Sequence, residues 1–292
     1  MMKTNKRRKS RIRLKKLALF IVAVLAVLAL LVFGMTKTVH HLSARSAEEA
    51  GQPMYYLFIG TDEKAGNEAD TVLLMARNDK KEQAVFISIP SNTKIPHRQE
   101  GKYMLLRQTL SEGGSEETKS AIENLLHIRI DKYAVINFAD FKNYMSHWGP
   151  VDMYVEKSME HSDANGVSDI EIYQGYQSLQ ADAGLGYVRY IDTENGEVGR
   201  IQRQERFMKT VLEKMQASSS IYNWAAVKYY WSAVETDISS EEAGNLAYHL
   251  TKFPPSNCKF IIFPGELQKS GKEPAWVVNP VEAQKVIALT ME

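Results

Sequence analysis

Apolar positions along this chain fall into distinct patterns. From Leu17 to Gly34 the run "LALFIVAVLAVLALLVFG" is apolar throughout, with no charge, proline or internal glycine. After residue 52 the apolar runs are short. Strand-length segments are expected at Tyr55–Ile59, Thr71–Arg77, Ala84–Ile89, Tyr133–Phe138 and Val151–Val155, and near Lys259–Phe263 and Trp276–Val278. Several are nearly continuous in Val, Ile and Leu, as in central strands covered on both faces. Helical spacing appears between them at Glu116–His127, where Ala121, Ile122, Leu125 and Leu126 share a stripe, and at Ala139–Trp148. It returns from about Arg200 to Gln216, once or twice within Ile221–Phe253, and from Pro280 onward. This alternation predicts an α/β fold, a three-layer α/β/α sandwich with a central mixed sheet. There is no internal repeat.

The first apolar run is about 27 Å long as a helix, close to the hydrocarbon thickness of a bilayer. Residues 1–35 hold nine Lys or Arg and no acid, and all nine precede the run. The positive-inside bias then predicts a single transmembrane helix with a cytoplasmic N-terminus. A cleaved signal peptide is the competing reading, since "LSARSAEEA" offers small residues, but the apolar run exceeds the usual signal core. The expected layout is a basic cytoplasmic tail (1–16), a transmembrane helix (17–35), a linker (36–52) and an extracytoplasmic domain (53–292).

Charge sharpens this picture. The chain carries 36 Lys and Arg against 35 Asp and Glu, a net +1, yet without the basic tail 27 bases face 35 acids. An acidic domain argues against nucleic acid as a partner. The lone Cys258 cannot form an internal disulfide and reads as a small core residue.

Two constellations could carry chemistry. In "IGTDEKAGNEADT", Asp62 ends one strand and Asp70 opens the next, with Gly66-Asn67 available for a turn. Aspartates are turn residues. Two converging carboxylates would also suit a hard cation such as Mg²⁺ carrying phosphate oxygens. The second constellation is "GYVRYIDTENGEVGRIQRQERFMKTVLEKM". Wound as a helix, it buries Ile201, Met208, Val211, Leu212 and Met215 on one stripe, with Arg200, Arg203 and Gln204 along its edge in the first turn. Free N–H groups there favour anions, and guanidinium forks match phosphate. Arg189, in the apolar "YVRY", needs an anionic partner. The alternative is a solvated basic face plus a structural salt bridge, and this is the reading for Arg206 and Lys209. No Walker loop, G-x-S-x-G or C-x-x-C occurs, and the histidines lack metal-ligand spacing.

Assembled in order, "IGTD", "ADT", "SIPSNT", "KYM…EGG", "IENLLHIRIDKYAVINFADF", "GPVDM", "YVRYI" and "EVGRIQRQ" make the chain resemble the LytR–CpsA–Psr family of bacterial cell-envelope proteins. The resemblance begins at Tyr56 and runs, with interruptions, to the C-terminus. It implies a membrane-anchored Mg²⁺-dependent phosphotransferase outside the cytoplasmic membrane. Such an enzyme moves a glycopolymer from a polyprenyl-pyrophosphate carrier to peptidoglycan or another envelope acceptor. By position, Asp62 and Asp70 match the metal-side carboxylates. Arg189, Arg200, Arg203 and Gln204 match the pyrophosphate-binding set, as does Lys102. Asp70, Arg189 and Arg200 are the expected catalytic groups, with Asp70 the first choice of base.

The chain departs from the pattern at several positions. Ser91 and Asn92 replace an Arg-Asp pair, Glu68 and Ile191 replace arginines, and Glu197 stands for an aspartate. Arg98, Arg107 or Lys94 could make up the missing charge. These departures support a second expectation: an impaired member that binds polyprenyl lipid as an envelope scaffold. A transcriptional regulator conflicts with the layout, which puts the acidic domain across the membrane from DNA.

Overall fold

The computed structural model describes residues 51–62, 66–163, 165–269 and 273–291. The expected basic tail, transmembrane helix and linker, up to residue 50, lie outside the described residues. From Gly51 onward the chain forms one compact unit.

The first half holds strands β1 (Met54–Asp62), β2 (Glu68–Asn78), β3 (Gln83–Ile89), β4 (Lys94–Pro96) and β5 (Tyr103–Leu105). Helix α1 (Gln108–Leu126), strand β6 (Lys132–Asn137) and helix α2 (Phe138–Trp148) follow. Next come β7 (Val151–Val155), β8 (Met159–Ser162), β9 (Ser168–Ile172) and β10 (Gly175–Leu179), then helices α3 (Ala181–Arg189), α4 (Gly196–Ala217) and α5 (Ser220–Tyr230). The chain closes with β11 (Glu235–Thr236), α6 (Ser240–Leu250), β12 (Cys258–Ile262), β13 (Gly265–Gln268), β14 (Ala275–Val278) and α7 (Pro280–Met291).

Six strands form a mixed sheet in the order β11-β6-β1-β2-β3-β12. The β1–β6 and β3–β12 pairs are parallel and the others antiparallel. Alternate residues of the central strands serve opposite faces. Leu57, Ile59, Val72, Leu74, Val85 and Ile87 pack with Leu110 and Ile122 of α1 and Ile287 of α7. Tyr56, Leu73, Met75 and Phe86 pack on the other face with Val227 of α5 and Leu246 of α6. The continuous apolar runs in the sequence therefore report two covered faces.

A third apolar cluster lies beneath the ribbon β7–β10, joining Val155, Ile170 and Ile172 to Tyr187 of α3 and Phe207 of α4. Of this ribbon only β7 was expected from the sequence, and α3 was not expected at all. Its "AGLGYVR" carries two glycines, which weaken a helical signal. Their reason is contact: a Cβ on Gly186 would sit 3.3 Å from Ile170, and one on Gly184 would sit 3.1 Å from Met145. Helix α1 also starts earlier than expected. Gly113 and Gly114 fall inside it, and the backbone leaves helical geometry at Gly114.

Leu74 is fully buried in the first cluster. Leu74→Ala is expected to lower unfolding free energy by about 3 kcal/mol through lost transfer energy and a residual cavity. Urea denaturation of the two chains measures this difference.

Candidate functional site

The site begins with an irregularity in pairing. Gly60 opposes Thr71 and Thr61 opposes Ala69, so Asp70 has no partner across the strands and forms a bulge. Bulges re-aim side chains. Gly60 permits the close approach, because a Cβ there would lie 3.0 Å from the Thr71 Cβ. Asp62 ends β1, and Asp70 sits inside β2 rather than at its start.

Helix α4 brings the second half. Asp192 builds the turn before it: its Oδ1 accepts from Asn195 N–H at 2.6 Å and its carbonyl from Gly196 N–H at 3.0 Å. The helix starts four residues before Arg200. This adds Glu197 to the first turn, where the helix dipole favours a carboxylate.

Arg200 is buried, and its Nη2 carries most of its bonding. That nitrogen donates to the Asp70 carbonyl at 2.7 Å and to Ser91 Oγ at 3.0 Å. It also lies 2.8 Å from both carboxylate oxygens of Glu197. Ser91 in turn donates its N–H (3.0 Å) and hydroxyl (2.9 Å) to Glu197 Oε1. Nη1 of Arg200 stands 3.8 Å from Asp70 Oδ1, and its buried Nε has no hydrogen-bond partner.

Arg189 ends α3 and is about one-third exposed. Its Nη2 lies 3.5 Å from Asp62 Oδ2, and its Nη1 lies 3.9 Å from Asp169 of β9. The guanidinium rests 4.5 Å above the ring of Phe138. Asp70 couples the two halves. Burial, the larger cause, raises its pKa above the ordinary value; Asp62 and Glu197 push the same way, while Arg200 and Arg189 oppose them. Asp62, Asp70, Arg189 and Arg200 therefore share one cluster.

The other candidates are placed differently. Arg203 is 2% exposed and held by protein groups: Asp192 at 3.2 Å, the Tyr190 carbonyl at 2.5 Å and Glu156 at 3.6 Å. Gln204 Nε2 donates to Thr71 Oγ1 and the Val188 carbonyl. Lys102 is exposed within the β4–β5 turn, where its N–H donates to the Gln99 carbonyl. Of the possible replacement cations, Arg98 pairs with Glu117, Lys94 lies over the Tyr103 ring, and Arg107 lies 3.0 Å from Glu68. Three partners were not recognised from sequence: Ser91, Glu197 and Asp169. The i,i+3 spacing of Glu197 and Arg200 was the one available signal.

Asp62 and Asp70 offer oxygen donors to a hard cation. Among the described residues no group of three or more His, Cys, Asp or Glu is arranged to hold a metal. An ion here would complete its shell with water or substrate oxygens, the habit of Mg²⁺. The two acids repel one another, which such an ion would relieve, so the donor set fits. A cavity of about 400 Å³ is lined by Thr61, Asn67, Ser115, Asn137, Asp140 and Glu235 along with a few apolar groups, and by none of Asp62, Asp70, Arg189 or Arg200. Its lining is polar rather than that of a hydrocarbon tunnel.

A family model described as the LytR_cpsA_psr family matches residues 33–290. TagV of Bacillus subtilis, named as a polyisoprenyl-teichoic acid–peptidoglycan teichoic acid transferase, is 27% identical over 178 residues, 58% of this chain and 46% of that protein. The chain thus spans under half the length of that relative. TagU of Bacillus cereus, with the same descriptive name, is 25% identical over 242 residues, 80% of this chain and 76% of that protein. The crystal structure of B. subtilis TagV superposes with a TM-score of 0.70 at 21% identity, covering 82% of this chain and 98% of that one. A structure described as TagT bound to LIIa-WTA gives 0.66 at 20% identity, covering 82% and 89%. These superpositions establish a shared fold.

Asp192 supplies a test of how the site is held. Burial works to raise its pKa, but bonds from Lys157, the Asn195 N–H and Arg203 outweigh it and hold the carboxyl well below the usual range. A depressed pKa contributes stability that is present above the unfolded value, near 4, and lost as pH falls through the folded one. Asp192→Asn is therefore expected to cost about 3 kcal/mol at pH 7, since it removes the nearer of the two carboxylates that pair with the buried Arg203. The gap from wild type should narrow in acid, as denaturation at pH 7 and pH 3 would record.

Proposed function

This chain belongs to the LytR–CpsA–Psr family, and on that premise we propose that it is a membrane-anchored phosphotransferase. It moves a glycopolymer from a polyprenyl-pyrophosphate carrier to peptidoglycan or another envelope acceptor outside the cytoplasmic membrane. The observation that carries this reading is the meeting of two acid–guanidinium pairs, Asp62–Arg189 and Asp70–Arg200, around one bulge. The names of the TagU and TagV relatives support the substrate class.

The chemistry assigned to each side chain follows from its exposure. Arg189, exposed on one side, is the cation available to a phosphate oxygen. Phe138 beneath it holds the guanidinium plane. Arg200 turns its Nη1 toward the cleft, 3.8 Å from Asp70 Oδ1, while its Nε is buried. Asp70, its charge disfavoured by burial, is suited to accept a proton from the acceptor hydroxyl. That hydroxyl oxygen bonds to the glycan-side phosphorus, the bridging P–O bond breaks, and polyprenyl phosphate leaves with the electron pair. Mg²⁺ at Asp62 and Asp70, when bound, supplies charge neutralisation to the diphosphate. An anchor at residues 17–35 would keep the site beside a lipid-linked donor.

One observation favours a second reading, a lipid-binding scaffold without turnover. Arg203 and Gln204 are bonded to protein groups and Lys102 lies outside the cluster, so fewer cations reach a ligand than the motif suggests.

Reconstituted full-length protein, a polyprenyl-pyrophosphate-linked glycan and Mg²⁺ distinguish the two. Transfer or hydrolysis is expected, and Asp70→Asn is expected to slow it by about 10²- to 10³-fold, typical for losing a group that acts on the transition state. Tight lipid binding with no turnover by the wild type would overturn the enzymatic reading.

A further inference from the structure

The antiparallel pair of β7 and β10 has two faces of different character. Its inner side chains, Val151, Met153, Val155 and Leu179, are buried in the cluster of Tyr187 and Phe207. Alternation sends Asp152 and Tyr154 of β7, and Tyr176 and Ser178 of β10, to the other face, where all four are exposed. The register sets Tyr154 across from Tyr176 and Asp152 across from Ser178. Ser178 donates its hydroxyl to the Asp152 carboxylate, and the two rings meet edge to face with centroids 5.0 Å apart. Tyr173 adds a third ring from the turn before β10. Gly175, at φ +124°, turns the chain there, and Gln177 donates its side-chain amide to the Tyr173 carbonyl.

Solvent-facing positions of an antiparallel pair are commonly polar. Here Tyr176 is 88% exposed, Tyr173 63% and Tyr154 45%. A cross-strand ring pair stabilises a sheet, which accounts for Tyr154 opposite Tyr176. It does not account for Tyr173, which lies outside the strands. The rings stand beside fixed acceptors: Asp152, and Glu171, which takes the Tyr173 hydroxyl at 2.5 Å.

Charge selects the occupant. The exposed positions of β7, β9 and β10 hold Asp152, Asp169 and Glu171 and no Lys or Arg. An anionic polymer or an anionic lipid surface would be repelled. A second copy of this chain, face to face across a two-fold, would set acid against acid. A neutral glycan brings what this face lacks: hydroxyl donors for the carboxylates, and C–H faces that pack on aromatic rings. Strand β9 also links the patch to the cleft. Asp169, 3.9 Å from Arg189, alternates with Glu171 and Tyr173 along the exposed side of the chain. Four residues, about 13 Å of strand, separate Tyr173 from the acid beside Arg189.

We propose that this tyrosine face is a docking surface for a neutral polysaccharide strand. The strand stacks on Tyr154, Tyr173 and Tyr176 and donates hydroxyls to Asp152 and Glu171. Binding is independent of the cleft; its use, leading an acceptor glycan toward Arg189, rests on the transferase reading.

The test is calorimetric titration of full-length protein in detergent with a soluble N-acetylglucosamine oligomer. Wild type is expected to bind it saturably, and the double variant Tyr154→Ala/Tyr176→Ala at least about tenfold more weakly. Tyr173→Ala, outside the strands, is expected to weaken binding at unchanged Tm, which separates a lost contact from lost folding. Tyr176→Phe keeps the ring and should bind as wild type does. A wild type that binds no oligomer, or binding that the ring-removing variants leave unchanged, overturns the docking surface. Loss of anionic-vesicle binding or of self-association in these variants, in place of oligomer binding, overturns it too. In the transfer assay Tyr173→Ala is expected to raise KM for a polymeric acceptor with kcat unchanged, and an unchanged KM overturns the acceptor role. Oligomer binding with no turnover by any form overturns the transferase reading and spares the surface.

Discussion

A guanidinium taken out of water must be given negative partners, because the desolvation of an unpaired charge costs several kcal/mol or more. Helix α4 buries two, Arg200 and Arg203, within one turn of each other. Their partners come from elements far apart in sequence. The Asp70 carbonyl belongs to the bulge of β2, Ser91 to the segment after β3, Asp192 to the turn after α3, and Glu156 to the end of β7. Satisfying two side chains therefore fixes the ends of the central strands, the ribbon and the helix in one register. Lys157, 2.8 Å from Asp192, completes the compensation from the ribbon side.

The same constraint divides labour among similar residues. Arg203, closed in by Asp192, Glu156 and the Tyr190 carbonyl, is a framework residue, and its ring contact with Tyr190 is part of that packing. Arg200 faces both ways: Nη2 is spent on protein acceptors while Nη1 stands 3.8 Å from Asp70 Oδ1. Arg189 stacks on Phe138, which shields one face of its guanidinium, and presents the remainder to the cleft. Rigidity at Arg203 thus allows Arg189 and Asp70 to keep partial exposure without wandering. Preorganised charge in a half-dry site is worth more than the same charge free in water.

Much of this was legible in the sequence, and the parts that were not share a cause. The central strands announced themselves because both faces are covered, so Val, Ile and Leu occur without alternation. The stripe of Ile201 and Met208 marked α4, and its first turn marked the arginines. What stayed hidden depends on partners distant in the chain. Helix α3 carries Gly184 and Gly186 because Met145 and Ile170 press against it, a requirement no local propensity encodes. The short strands β8 to β10 lack a long apolar run. The division between framework Arg203 and cleft-facing Arg189 depends on Asp192 and Asp62, acids that local periodicity cannot assign to one arginine or the other.

The departures from the family pattern change meaning once pairing is known. Counted along the chain, Ser91 and Glu68 look like cations lost and an acid gained. In space, Ser91 is the hydroxyl that accepts from Arg200 and donates to Glu197, so a larger cation there would have to displace an existing bond. Glu68 lies 3.0 Å from Arg107, whose backbone is bonded to both Ser91 and Ala69. The acid at 68 is therefore met by a base immediately before α1, and its charge does not fall undiminished on the cleft. Ile191, half exposed beside Tyr190, replaces a charge with an apolar surface and has no such compensation. Of the three positions, residue 191 is the one where an apolar side chain meets solvent in place of a charge.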